Sequence, residues 1–130
     1  MKQIPESLLN TFRKYDTPTI VNSLELLDSK FRTSCFTTEQ MICVDTSLPP
    51  IVGYARTATI SASSEVDPNT KRDRSLAYYE YVSCGTAPFI SVIQDVDESP
   101  GFGAFWGEVN SNIHNALGVI GVVTNGSVRD

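Results

Sequence analysis

Gly118 separates two stretches of different periodicity, and this junction constrains the fold more than any other feature of the chain. On its N-terminal side, Gly107-Glu108-Val109-Asn110 opens a helix. Gly118 closes that helix, because glycine accepts the left-handed conformation just past a helix end. On its C-terminal side, residues 119–124 form a short apolar run rich in β-branched side chains, the pattern of a buried strand. Asn125-Gly126 marks a turn, and Arg129-Asp130 follows directly. A helix that feeds straight into a buried strand belongs in a layered α/β domain.

The polar groups at the two ends of this unit have a chemical logic. The first turn of a helix carries unpaired N–H groups and the positive end of the helix dipole, so it seats carboxylates or phosphates. Gly107 lets a ligand approach the backbone closely. Arg129 offers a planar fork for a carboxylate or carbonyl oxygen. Asp130 offers hard oxygen ligands for Mg²⁺ or Mn²⁺. If the helix start and the strand end lie side by side, they form a site for an anionic oxo acid beside a divalent metal. On spacing alone, the same residues also read as a glycine-bounded helix, a core strand and a surface Arg–Asp pair.

The stretch resembles the signature of the RraA-like family, which includes 4-hydroxy-4-methyl-2-oxoglutarate aldolases and oxaloacetate decarboxylases. Gly107-Glu108, Gly118, Gly121, Val123, Gly126 and Val128-Arg129-Asp130 match its pattern in order and spacing. Upstream, the residues from Ile51 to Thr57 resemble the family's G-x-A-x-T strand, and those from Phe89 to Val96 its hydrophobic strand ending in an acid. Asn125 departs from the pattern, since many members carry Asp there. The resemblance covers most of the chain from about Thr17 onward. It implies an α/β/α sandwich of the swivelling-domain type with a mixed sheet. Family members run longer, so it also implies a single domain over 1–130 that lacks its C-terminal portion.

Composition narrows the function classes. The chain of 130 residues is 41% apolar and 19% charged, within the range of one globular domain. Its net charge of −5 argues against a nucleic-acid surface, which needs a basic face. Cys35, Cys43 and Cys84 are odd in number and form no C-x-x-C, which speaks against a disulfide framework or a zinc site. Cys84 is expected to be buried in a helix and inert. His114, the sole histidine, falls mid-helix, where a surface or packing role outweighs catalysis. The N-terminus lacks the apolar core of a signal peptide, and no apolar run approaches a membrane span, so a cytosolic (cytoplasmic) protein is the simplest expectation.

Elsewhere the chain reads as alternating helices and strands. Residues 5–15 give a first helix through Leu8, Leu9 and Phe12. A second begins with Thr17 as cap and Pro18 in the first helical position, and Ile20, Val21, Leu24 and Leu27 face the core. Cys43-Val44 is expected in a short edge strand, residues 51–61 in a strand, and residues 63–71 in a loop. Arg56 is expected to be an exposed strand arginine. A helix over 73–84 ends at Gly85, and a strand over 88–94 leads to the acidic tip Asp95, Asp97 and Glu98. That tip lacks the glycine and distal glutamate of a calcium loop, so it reads as a solvated loop. The tyrosine cluster at 78–81 reads as core and helix surface, because no basic patch accompanies it. Phe102, Phe105 and Trp106 either wall a pocket or anchor their loop.

The resemblance implies a metal-dependent lyase that cleaves or decarboxylates short 2-oxo acids to pyruvate. On that implication, Asp130 binds Mg²⁺ or Mn²⁺ and Arg129 contacts substrate and stabilises developing charge. Backbone amides of Gly107, Glu108, Val109 and Asn110 hold the carboxylate, and Asp95 is a supporting residue behind the site. Homotrimers or dimers of trimers complete the site at a subunit interface. The alternative, also implied by the resemblance, is a non-catalytic regulatory protein that binds a partner protein, in the manner of the inhibitors of an RNA-degrading endonuclease. A methyltransferase is excluded by the lack of a strand–GxGxxG–helix stretch.

Overall fold

A computed structural model of the chain describes residues 3–129. The chain divides into two compact units, Met1–Val52 and Gly53–Asp130.

The first unit is helical. Helix α1 covers Glu6–Phe12 and α2 covers Thr17–Leu27. Asp16, not Thr17, caps α2, its carboxylate accepting from the Thr19 N–H at 2.8 Å, with Pro18 in the first turn. A carboxylate is the better cap here because its charge also complements the helix dipole. Asp28 ends α2 and caps a 3₁₀ turn over Ser29–Thr33. Ile20, Val21 and Leu24 are half-buried, but Leu27, expected in the core, is 82% exposed. The expected strand at Cys43-Val44 is not formed; both residues are exposed and lie in irregular chain.

The second unit alternates strands and helices. Strand β1 spans Tyr54–Ile60, α3 Pro68–Ser83, β2 Phe89–Asp95, β3 Ala104–Trp106, α4 Glu108–Ala116, β4 Val119–Thr124 and β5 Ser127–Val128. One sheet has the order β1-β2-β4 and a second pairs β3 with β5. Every described pair is parallel, so the expected mixed sheet is corrected to parallel sheets. The reason lies in the connections. A helix lies between β1 and β2, and α4 lies between β2 and β4, so each successive strand enters its sheet in the same direction.

Helix α3 begins five residues before the expected start at 73, because Asp67 accepts from the N–H groups of Asn69 and Thr70 and Pro68 follows it. That start converts the second half of the expected loop into helix. Gly85, at φ +97°, lies just beyond the far end of α3. Cys84 there is exposed rather than buried, and all the described cysteines are free.

The core joins Val82 of α3, Phe89 of β2 and Val119 of β4, with Tyr54, Tyr78 and Leu117 packed against them. Gly118 takes the left-handed conformation at φ +88°, and a Cβ there would meet that of Ala87 at 2.8 Å. Both facts require glycine at the junction of α4 and β4.

Arg56 is half-buried, which corrects the exposed side chain expected on β1. Its guanidinium donates to the carbonyls of Val82, at 3.2 Å, and Cys84. It also lies 4.1 Å from the centroid of the Phe89 ring. The cation therefore serves the carbonyl end of α3, where a positive charge is favourable.

Candidate functional site

Strand β5 brings the two ends of the expected site together. Val128 pairs with Trp106, and the Arg129 N–H donates to the Trp106 carbonyl at 2.9 Å. Gly107 follows Trp106 and is the N-cap of α4, with extended backbone and no side-chain cap. The backbone of Arg129 thus lies beside the start of the helix. Glu108 and Val109 in the first turn are exposed. Asn110 is half-buried, donating from Nδ2 to the Phe105 carbonyl at 2.5 Å and accepting from the Tyr79 hydroxyl at 2.9 Å. Asp130 lies outside the described residues.

Asp95 and Asp97 do not form a solvated tip. They are 2% and 8% exposed, which corrects that expectation. The Asp95 carboxylate accepts from the N–H groups of Asp97 at 3.0 Å and Gly101 at 2.7 Å, so it folds its own loop back on the strand end. Asp97 accepts from the hydroxyls of Ser61 and Ser63 and from the N–H groups of Ala62 and Ser63. These donors stabilise the ionised form and hold its carboxyl down to about 2, the Ser61 hydroxyl contributing most. Glu98 remains exposed. Asn125 joins the ends of β2 and β4: its Oδ1 accepts from the Asp95 N–H at 2.7 Å, and its Nδ2 donates to the Asp95 carbonyl at 3.1 Å.

His114 is 1% exposed, so its role is packing rather than surface. Its Nδ1 lies 2.6 Å from the Asn110 carbonyl, which can only accept; Nδ1 therefore carries the proton. Nε2, 2.8 Å from the Tyr78 hydroxyl, is then the acceptor and Tyr78 the donor. The Tyr78 oxygen lies 3.1 Å from the hydroxyl of Ser91, which donates to it. Burial pushes the imidazole below its ordinary value and the Tyr78 phenol above its own. Trp106 is buried against the His114 ring at a centroid distance of 4.5 Å, and Phe105 packs edge-on to Trp106 at 5.3 Å. Phe102, by contrast, is 81% exposed.

A cleft of about 660 Å³ opens among the C-terminal end of β1, the end of β2, the part of α3 from Lys71 to Tyr78 and the segment 103–105. Its wall includes Lys71, Arg74, Ser75 and Tyr78 from α3, Asp95 from β2, and Phe105. Gly107, Glu108, Val109, Asn110 and Arg129 are not among its lining residues.

Comparison with protein-family models, with curated proteins and with solved structures finds no match. The site is therefore described by its own geometry. The structure brings Gly107 and the backbone of Arg129 together, and separately gathers Lys71, Arg74 and Tyr78 around a cleft. Sequence reasoning passed over Lys71 and Arg74. Their signal was present in Asp67-Pro68, a cap followed by proline, which starts α3 early enough to place 71, 74, 75 and 78 on one helical face.

Among the described residues, no cluster of three or more His, Cys, Asp or Glu side chains is arranged to hold a metal ion. No described helix is long and apolar enough to cross a membrane.

Proposed function

We propose that the chain is a divalent-metal-dependent lyase acting on short 2-oxo acids, by aldol cleavage or decarboxylation to pyruvate. The observation that carries this reading is the pairing of β5 with β3, which seats the Arg129 N–H on the Trp106 carbonyl immediately before the α4 cap. A planar cation and a helix start with no side-chain cap then lie at neighbouring backbone positions. Both favour the same kind of ligand group, an anion such as a carboxylate.

In this reading the first-turn amides from Gly107 to Asn110 orient the carboxylate, and the Arg129 guanidinium stabilises charge developing on the adjacent oxygen. Asp130 would hold Mg²⁺ or Mn²⁺. When bound, that ion supplies Lewis-acid stabilisation of the enolate formed as the carbon–carbon bond breaks. Asn110 fixes the helix start through its bonds to Phe105 and Tyr79. The finer architecture belongs to the same proposal: an α/β/α sandwich of the swivelling type, assembled as a homotrimer or a dimer of trimers in the cytoplasm.

The test is oxaloacetate decarboxylation with Mg²⁺ or Mn²⁺ and with chelator, in the native chain, Arg129→Ala and Asp130→Ala. Metal-dependent turnover lost in both variants supports the lyase. A folded, oligomeric sample without turnover sinks it and leaves the partner-binding alternative.

A further inference from the structure

The cleft at the ends of β1 and β2 has the character of a ligand site in its own right. Ligands of open parallel α/β sheets bind beyond the carboxyl ends of the strands, which is where Ile60 and Asp95 end β1 and β2. Its volume of about 660 Å³ lies in the range of small-molecule pockets.

The charge on its wall is specific. Lys71 and Arg74 stand three residues apart on α3 and line the same cleft. Among the described residues, neither side chain has an ion pair or a hydrogen bond. The chain carries 15 acidic residues against 10 basic ones, so two cations outside any ion pair on one cleft wall run against its overall balance. Asp67, at the cap of α3, is the carboxylate that feels Arg74, and its oxygen is already engaged by the N–H groups of Asn69 and Thr70.

The acids of the cleft differ in availability. Asp95 is buried and its two oxygens are taken by backbone N–H groups, so it does not neutralise the pair. Glu65 is exposed and, among the described residues, has no ion pair or hydrogen bond. Tyr78 has its proton committed to His114 and its oxygen already accepts from Ser91, so its hydroxyl is engaged by the core rather than by the cleft. One region of the wall therefore favours an anion, while Glu65 favours groups that donate hydrogen bonds.

We infer that this cleft binds a small hydroxylated organic anion, with Lys71 and Arg74 on its acidic group and Glu65 accepting from its hydroxyls. The site is independent of the lyase reading, because none of its contacts is a residue of the α4 start or Arg129.

Titration calorimetry with glycerol 3-phosphate and with inorganic phosphate tests it. Glycerol 3-phosphate binds the native chain, and more tightly than phosphate. Lys71→Ala/Arg74→Ala weakens glycerol 3-phosphate binding by about tenfold or more, as expected for lost charge-assisted hydrogen bonds. Arg129→Ala leaves it unchanged. Glu65→Gln narrows the preference for glycerol 3-phosphate over phosphate. Lys71 and Arg74 are exposed, so circular dichroism of the double variant matches that of the native chain. The inference is overturned if glycerol 3-phosphate does not bind at millimolar concentration. It is also overturned if the double variant binds as well as the native chain, or if binding is lost in Arg129→Ala instead.

Discussion

Tyr78 donates its phenolic proton to Nε2 of His114 across 2.8 Å, and the direction is set by the opposite side of the ring, where Nδ1 faces the Asn110 carbonyl. A helix residue lining the cleft is thereby locked to a buried residue of the helix whose start faces Arg129. Replacing Tyr78 by Phe leaves Nε2 of His114 without a donor, and should cost about 1–2 kcal/mol in chemical denaturation.

The same pair makes stability depend on pH. Burial lowers the His114 pKa from its ordinary 6.5, so the unfolded chain takes up a proton there before the folded chain does. Stability from this group is intact above about pH 6.5 and falls as pH drops below it. The thermal midpoint should decline from pH 7 to pH 5, and less steeply in His114→Gln, which cannot titrate. Equal slopes in the two proteins would assign the decline to other groups.

Asp97 gives a second, more acidic dependence. Its carboxyl is held at about 2, below the ordinary 3.8, so its contribution is present above 3.8 and is lost as pH falls through about 2. Asp97→Asn should unfold at lower temperature at neutral pH and lose part of the acid-induced decline between pH 4 and pH 2. The variant removes the charge that collects the Ser61 and Ser63 donors.

Arg56→Ala should destabilise by about 1–2 kcal/mol, through loss of the α3 carbonyl contacts and the stacking on Phe89. Arg56→Lys should recover only part of this, since an ammonium cannot present a planar fork and stack at once. Full recovery by lysine would show that charge alone matters there.

Asn125→Asp tests the strand-end link. The carboxylate can still accept from the Asp95 N–H but has no donor for the Asp95 carbonyl. The cost should be about 1 kcal/mol at neutral pH and should shrink near pH 4, where the new carboxyl regains a proton. Urea midpoints at the two pH values measure it.

Much of the element order was legible because its signals are local. The strand over 119–124 has the expected limits, since Gly118 must end the helix and a β-branched run follows. The strand at Tyr54–Ile60 lies within the expected alternation. The α3 boundary was misplaced because Asp67-Pro68 sits among Ser, Asn and Thr, which also make loops. No local signal brings Gly107 and Arg129 together; the β3–β5 pairing does so for the backbone.

What the sequence determined by itself was the succession of helices and strands and the need for glycine at 118, because each depends on residues within a turn or two of one another. The tertiary structure decided strand direction, the burial of His114 and Asp97, the Arg56 clamp and the cleft wall. Tyr78 and His114 are 36 residues apart, as are Ser61 and Asp97, and Arg56 reaches across 26 residues to Val82. Polar groups at such separations become partners only when packing removes water from both, and no local pattern records which groups will meet.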